Sequence, residues 1–251
     1  MPRKYICTRL CALAAVAVAV AVALALPTGA PAMTVYGASS LREALPGLDR
    51  SPSYSFGASN TLRLQIERGA GADLFVSADA EQPRTLFAAG RCERPVTIAT
   101  NILVLLVPKD NPAAIGSVYS LRRGGLRLAV GAPGVPIGDY TRTLLRRLRL
   151  SAVLTANTVS AEPNVAGVAT KVAFASADAG FTYVTDARAV GDRVRAIALP
   201  RWAQPPVRYQ ACVVRRPGAD TAAATAYLRR LSSGQGRTVL KRFGFGLPPR
   251  S

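Results

Sequence analysis

The chain has 251 residues, 49% of them apolar and 18% charged, enough to bury one large core or two smaller ones and too apolar for a disordered chain. It has no histidine, which removes Ser/His/Asp and Cys/His nucleophilic catalysis and argues against a zinc site. The net charge of +18 comes mainly from arginines scattered along the sequence with few aromatic neighbours, which is a compositional bias and not the footprint of a nucleic-acid-binding face.

At the N-terminus, Arg3, Lys4 and Arg9 flank and precede an Ala/Val/Leu run from Leu10 to Leu26, followed by Pro27 and Ala30-Pro31-Ala32. Charged, apolar and A-x-A parts in this order read as a secretory signal peptide over residues 1–32, cleaved near Ala32. A retained anchor is the alternative, but the run is at the lower length for spanning and rich in alanine. Neither Cys7 nor Cys11 stands in a lipidation context, so the expected product is soluble and periplasmic or otherwise exported. Residues 1–32 hold three basic and no acidic residues, leaving +15 on the remainder. Two cysteines remain, Cys92 and Cys212; in an oxidising compartment two thiols suggest one disulfide, and their separation excludes a CxxC site. The pairing is open at this level.

Apolar runs then alternate with helical patterns. Thr34 to Gly37 reads as a strand, Ser39-Ser40 as the cap of a helix running through Leu48, and Tyr54 to Phe56 as a second strand. Phe56-Gly57-Ala58-Ser59-Asn60-Thr61-Leu62 forms a strand end, a small-residue turn and a helix start, with Ser59 as N-cap and Leu62, Ile66 and Leu64 facing inward. Unpaired N–H groups at such a start suit a dianion. A strand at Asp73 to Ser77 and a helix from Ala80 to Ala89 follow. Pro95 to Thr100 and Ile102 to Val107 make nearly one extended stretch, broken at Asn101, where the first crossover is expected.

A second cycle begins with a strand at Leu126 to Val130. The loop Gly131 to Gly138 leads to a helix from Asp139 to Leu148, and a strand covers Asn157 to Ser160. Glu162-Pro163-Asn164 opens a helix from Val165 to Ser176, with Val165, Val168 and Val172 on one face. Strands at Ala179 to Val184 and Val194 to Leu199 complete the unit. Pro200, Pro205 and Pro206 mark an extended second crossover. A strand at Tyr209 to Val214 and helices from Asp220 to Leu231 and Gly236 to Phe243 close the chain. The expected fold is α/β: two α/β lobes joined by two crossover segments, with a first lobe of residues 33–99 and 201–251 and a second of 100–200. Loops beyond the carboxyl ends of strands in both lobes would face one ligand cleft. Asp73, Asp79 and Asp186 stand at strand ends, where acids more often cap the next turn than act as bases, and nothing nearby pairs with them as a nucleophile.

Val35-Tyr36-Gly37-Ala38-Ser39-Ser40-Leu41, Phe56 to Glu67, Gly71-Ala72-Asp73-Leu74-Phe75-Val76-Ser77-Ala78-Asp79, Ala99-Thr100-Asn101, Leu128-Ala129-Val130-Gly131 and Asp178 to Ala187 together resemble the periplasmic molybdate-binding proteins of ABC transporters. The similarity runs in order from about residue 33 to Phe245. It implies a type II periplasmic-binding-protein fold that captures molybdate or tungstate in an inter-lobe cleft and delivers it to a membrane permease, with no enzymatic activity, no cofactor, no direct metal ligand and no nucleic-acid partner, as a monomer. By motif position it implies hydroxyls from Ser40 and Ser59, amides from Ile137 and Val165, and the phenol of Tyr183. The segment between Leu41 and Phe56 is several residues shorter than the family pattern and the loop before Ile137 one shorter, while Asp139 would bring an acid close to the site. A receptor for sulfate or phosphate is the alternative on the same fold. An exported enzyme reusing the cleft would need a nucleophile and base that these loops do not supply.

Overall fold

The computed structural model describes residues 33–249, so the expected signal segment lies outside the described residues. Two five-stranded mixed sheets form the frame of a two-lobed α/β fold. The first contains β1 (Thr34–Ala38), β2 (Ser53–Gly57), β3 (Leu74–Ser77), β4 (Val96–Asn101) and β10 (Val207–Val213), in the order β2-β1-β3-β10-β4. β1 runs parallel to β2 and β3, and β10 antiparallel to β3 and β4. The second contains β5 (Leu103–Pro108), β6 (Leu128–Gly131), β7 (Thr158–Glu162), β8 (Ala179–Tyr183) and β9 (Val194–Ala198), in the order β7-β6-β8-β5-β9. Here β6 is parallel to β7 and β8, and β5 is antiparallel to β8 and β9.

Strand position explains the sequence pattern. β3, β5, β6 and β8 are interior strands, covered on both faces, and every residue in them is buried, so they read as continuous apolar runs. The edge strand β9 is only partly covered. Flanking helices close both sheets: α1 (Ala44–Leu48), α2 (Ser59–Glu67), α3 (Glu81–Ala88), α8 (Thr221–Ser232) and α9 (Gly234–Arg242) belong to the stretches that form the first lobe. α4 (Pro136–Arg147), α5 (Ala152–Asn157), α6 (Val165–Ala173) and α7 (Val184–Val190) belong to the second. Val165, Val168 and Val172 of α6 are buried together, as their spacing predicts.

Several expectations change. The helix expected from Ser39 to Leu48 is a 3-10 turn, Ser39–Leu41, followed by the short α1, which contains Pro46 and Gly47, both poor helix residues. Leu64 of α2 faces outward, 38% exposed, while Leu62 and Ile66 are buried. The short helices α5 and α7 are additional to the sequence reading, and α7 leaves β8 without an intervening loop.

The first crossing is one residue long: β4 ends at Asn101 and β5 begins at Leu103. The second spans 199–206 and contains a 3-10 turn, Arg201–Ala203. Gln204 joins the two crossings. Its Oε1 accepts from the Leu103 N–H at 3.0 Å, and its Nε2 donates to the Leu103 carbonyl at 2.8 Å.

Cys92 precedes β4 and Cys212 lies in β10, and the two form a disulfide with a Cα–Cα distance of 5.9 Å. Both are buried beside Leu62, Ile66 and Phe75. The bond closes a loop of 120 residues that contains the whole second sheet. Reduction, or joint Cys92→Ala and Cys212→Ala replacement, is expected to lower stability by about 2–4 kcal/mol through the freedom returned to the unfolded chain. Urea unfolding with and without reductant measures this, and an unchanged midpoint would contradict it.

Candidate functional site

One small pocket receives the carboxyl ends of the parallel strands of both sheets. Ala38, Gly57 and Ala78 mark the ends of β1, β2 and β3, while Val135, Asn164 and Tyr183 follow or end β6, β7 and β8. Ser40, Ser59, Ile137, Val165 and Tyr183, the five residues singled out in the sequence, all line this pocket. Among the described residues no charged side chain does.

Three helices begin there. α2 starts at Ser59 after Ala58, and α4 starts at Pro136 after Val135; neither preceding residue has a side chain that caps the helix. α6 starts at Val165 after Asn164, whose Oδ1 accepts the Gly167 N–H at 3.0 Å. The first N–H groups of a helix have no intrahelical acceptor. The aligned peptide dipoles add about half a positive charge at each start. The pocket is therefore electropositive without any side-chain cation.

Close backbone packing brings α4 to this position. A Cβ on Gly138 would lie 2.2 Å from the Ala132 carbonyl oxygen and 2.4 Å from that of Gly131, a separation no side chain permits. Pro136, at the first helical position, supplies a φ suited to the helix and has no N–H to satisfy.

Ser59 is not the cap of its helix, as its spacing suggests, but its first residue. Its buried hydroxyl oxygen accepts the Ala78 N–H at 3.0 Å, tying α2 to the end of β3. That bond uses the oxygen as an acceptor and leaves the hydroxyl proton to be donated. Ser40 is paired with the phenol of Tyr209 at 2.8 Å. Tyr183 is 1% exposed, and its hydroxyl has no hydrogen-bond partner among the described residues. Burial raises its pKa well above the ordinary tyrosine value, with the neighbouring Tyr209 and Tyr140 adding to the rise, so the phenol keeps its proton. A buried donor without an acceptor costs about 1–3 kcal/mol unless a ligand supplies one.

The carboxylates serve the frame. Asp73 accepts from the Thr34 and Asp220 amides and pairs with Arg216 at 2.6 Å. Asp79 accepts from the Gln82 amide at 3.0 Å and the Ser77 hydroxyl at 3.1 Å. Asp139, expected close to the site, instead accepts the Gly134 N–H at 3.0 Å and lines a separate hollow with Asp79 and Arg208. Its own loop draws it away. Of the two residues that connect to Ser40 from behind, Asn101 was marked in the sequence only as the break at the first crossover and as part of a family motif, and Tyr209 only by its place in an apolar strand.

The family model for a bacterial extracellular solute-binding protein matches residues 51–246. The chain belongs to that family. Among its relatives, the molybdate-binding protein ModA of Mycobacterium tuberculosis strain H37Rv is 33% identical over 232 residues, covering 88% of this chain and 86% of that protein. The molybdate-binding protein ModA of Escherichia coli K12 is 33% identical over 237 residues, covering 85% and 88%. The solved periplasmic molybdate-binding protein of Azotobacter vinelandii shares the fold, with a TM-score of 0.77 at 24% identity over 86% of this chain and 100% of that one. Among the described residues of this solute-binding protein, no helix is long and apolar enough to cross a membrane.

Asp186, in the first turn of α7, accepts from the Thr185 hydroxyl at 3.4 Å, and Thr185 in turn accepts from Asn101 at 2.9 Å. Burial pushes the Asp186 pKa from 3.8 up to about 7, against opposing hydrogen bonds from its own amide, the Thr185 hydroxyl and the Tyr183 amide. Because the folded value lies above the unfolded one, the solute-binding protein loses stability as pH rises from about 4 to about 7, where the buried carboxyl must ionise. Asp186→Asn should flatten the stability curve over that range and be more stable than the parent above pH 7, by up to about 4 kcal/mol. Thermal or urea unfolding across pH tests this; parallel curves for the two proteins would refute it.

Proposed function

We propose that this protein is exported and captures molybdate, and tungstate with it, in the cleft between its lobes, then delivers the oxyanion to the membrane permease of an ABC importer. The observation that carries the reading is the pocket itself: hydroxyls of Ser40, Ser59 and Tyr183 and the N-terminal turns of three helices converge where, among the described residues, no charged side chain is present. Its relatives with molybdate in their names, at 33% identity over most of the chain, support the choice of anion.

A fully deprotonated tetrahedral dianion offers acceptors only, so a site of donors satisfies all of it. Phosphate at neutral pH carries a proton and would leave an O–H without an acceptor. Sulfate presents the same acceptor pattern, and discrimination against it falls to cavity size, set by how far apart the lobes stop. Five or more hydrogen bonds to a charged group, at about 1.5–3 kcal/mol each, can offset the cost of ordering the lobes and reach nanomolar affinity, about −12 kcal/mol. In this reading Ile137 and Val165 contribute amides while their side chains stay in the core, the protein acts as a monomeric receptor and not as an enzyme, and it needs no cofactor. The signal peptide of residues 1–32 directs export, and the excess positive charge speeds anion encounter.

Calorimetry with molybdate, tungstate, sulfate and phosphate tests the reading: tight binding of the first two and weak binding of the others is expected. No molybdate binding, or tighter sulfate binding, would overturn it. Ser59→Ala should weaken molybdate binding by about 1–3 kcal/mol with the fold retained, because a donor to the anion is lost. It should also lower stability, since the buried Ala78 N–H loses its acceptor. Unchanged affinity in a folded variant would limit Ser59 to joining α2 to β3.

A further inference from the structure

The hydroxyl of Ser40 is held from behind by a chain of groups whose donor directions can be worked out. Tyr209, buried in β10, places its phenol oxygen 2.8 Å from Ser40 Oγ. Asn101, the last residue of β4, donates from Nδ2 to that phenol oxygen at 3.4 Å and to Thr185 Oγ1 at 2.9 Å. The orientation of the Asn101 amide is fixed by its own neighbour, because its Oδ1 accepts the Ile102 N–H at 3.0 Å and an N–H group cannot face an NH2 group.

Elimination then sets each proton. The Tyr209 oxygen receives a proton from Asn101, so its single proton needs a different acceptor, and among the described residues Ser40 Oγ is the one within reach. Burial raises the pKa of Tyr209 well above the ordinary value, with Asp186 adding to the rise, so the phenol keeps that proton. Ser40 thus accepts at its back, which occupies one lone pair of its oxygen and leaves its own proton to be directed forward. Ser59 is arranged in the same way by a different group, the Ala78 amide.

We propose that Tyr209 and Asn101 are positioning residues that fix Ser40 as a donor, so that the anion site selects its ligand by the absence of protons. The proposal rests on the reading of the pocket as an oxyanion site and adds two residues that do not line it. Without the Tyr209 donor, the Ser40 hydroxyl can turn its proton to the back and both lone pairs toward the pocket, where a protonated oxyanion meets a better acceptor than in the parent.

Tyr209→Phe tests this, since it removes one oxygen and keeps the ring that packs edge-on against Tyr183 at 6.0 Å and Phe245 at 5.2 Å. Molybdate and phosphate affinities are measured by calorimetry at neutral pH on the parent, Tyr209→Phe, Ser40→Ala and the double variant. Tyr209→Phe should weaken molybdate about tenfold, raise phosphate affinity relative to molybdate, and have no further effect once Ser40 is alanine. An unchanged molybdate-to-phosphate ratio, or an equal loss with and without the Ser40 hydroxyl, overturns the positioning role while leaving the site reading intact. A parent that does not bind molybdate overturns the site reading instead. If Tyr209→Phe does not fold, Asn101→Ala replaces it, with the same change in ratio expected and an unchanged ratio again decisive against the proposal.

Discussion

Holding a doubly negative ion without a cation requires that every contact be a donor, and the architecture around the pocket meets that requirement from two directions. Helix starts provide amides with no acceptor of their own, and the Ser59 hydroxyl is supplied with a proton from behind so that it has its own to give in front. The Ala78 amide does this for Ser59. A side-chain cation would be simpler, yet it would attract any anion; fixed neutral donors discriminate by the number and placement of lone pairs.

Donors from two lobes can meet because both sheets send the carboxyl ends of their parallel strands toward the same place. β1, β2 and β3 on one side and β6, β7 and β8 on the other deliver short turns there, and the tight turns keep the helix starts within reach. The Gly131–Gly138 contact is the sharpest example, since any side chain at Gly138 would force α4 away from β6 and take the Ile137 amide with it. The covalent constraint is confined to the first lobe: Cys92 and Cys212 staple β10 to the segment before β4, while the second lobe is attached through two crossings that Gln204 holds together.

Most of the frame was legible in the sequence because burial on both faces of a strand leaves an unmistakable run, as at Leu103 to Val107, and because a buried helix face repeats, as at Val165, Val168 and Val172. The five pocket residues were legible through resemblance of their surrounding motifs, not through their own chemistry. Serine at a helix start suggests a cap, and only the fold brings the Ala78 amide to Ser59 across 19 residues. Asp139 does not line the pocket for a related reason: a local bond to Gly134 holds it in the adjoining hollow, and spacing alone cannot reveal which partner an acid takes. Tyr209 lies 169 residues from Ser40 and reads as one more apolar position in a strand. The short helices α5 and α7, six and seven residues long, are below the length at which a periodic face becomes visible.

The absence of histidine, joined to the burial of Asp186, has a bearing on how the protein responds to its surroundings. Histidine is the side chain that ordinarily titrates near neutral pH, and the two cysteines near β4 and β10, which would follow it, are bonded. Two buried carboxyls are displaced upward instead, Asp186 to about 7 and Asp79 in the same direction. Acidity therefore reaches this molecule as a change in internal cohesion at one end of α7.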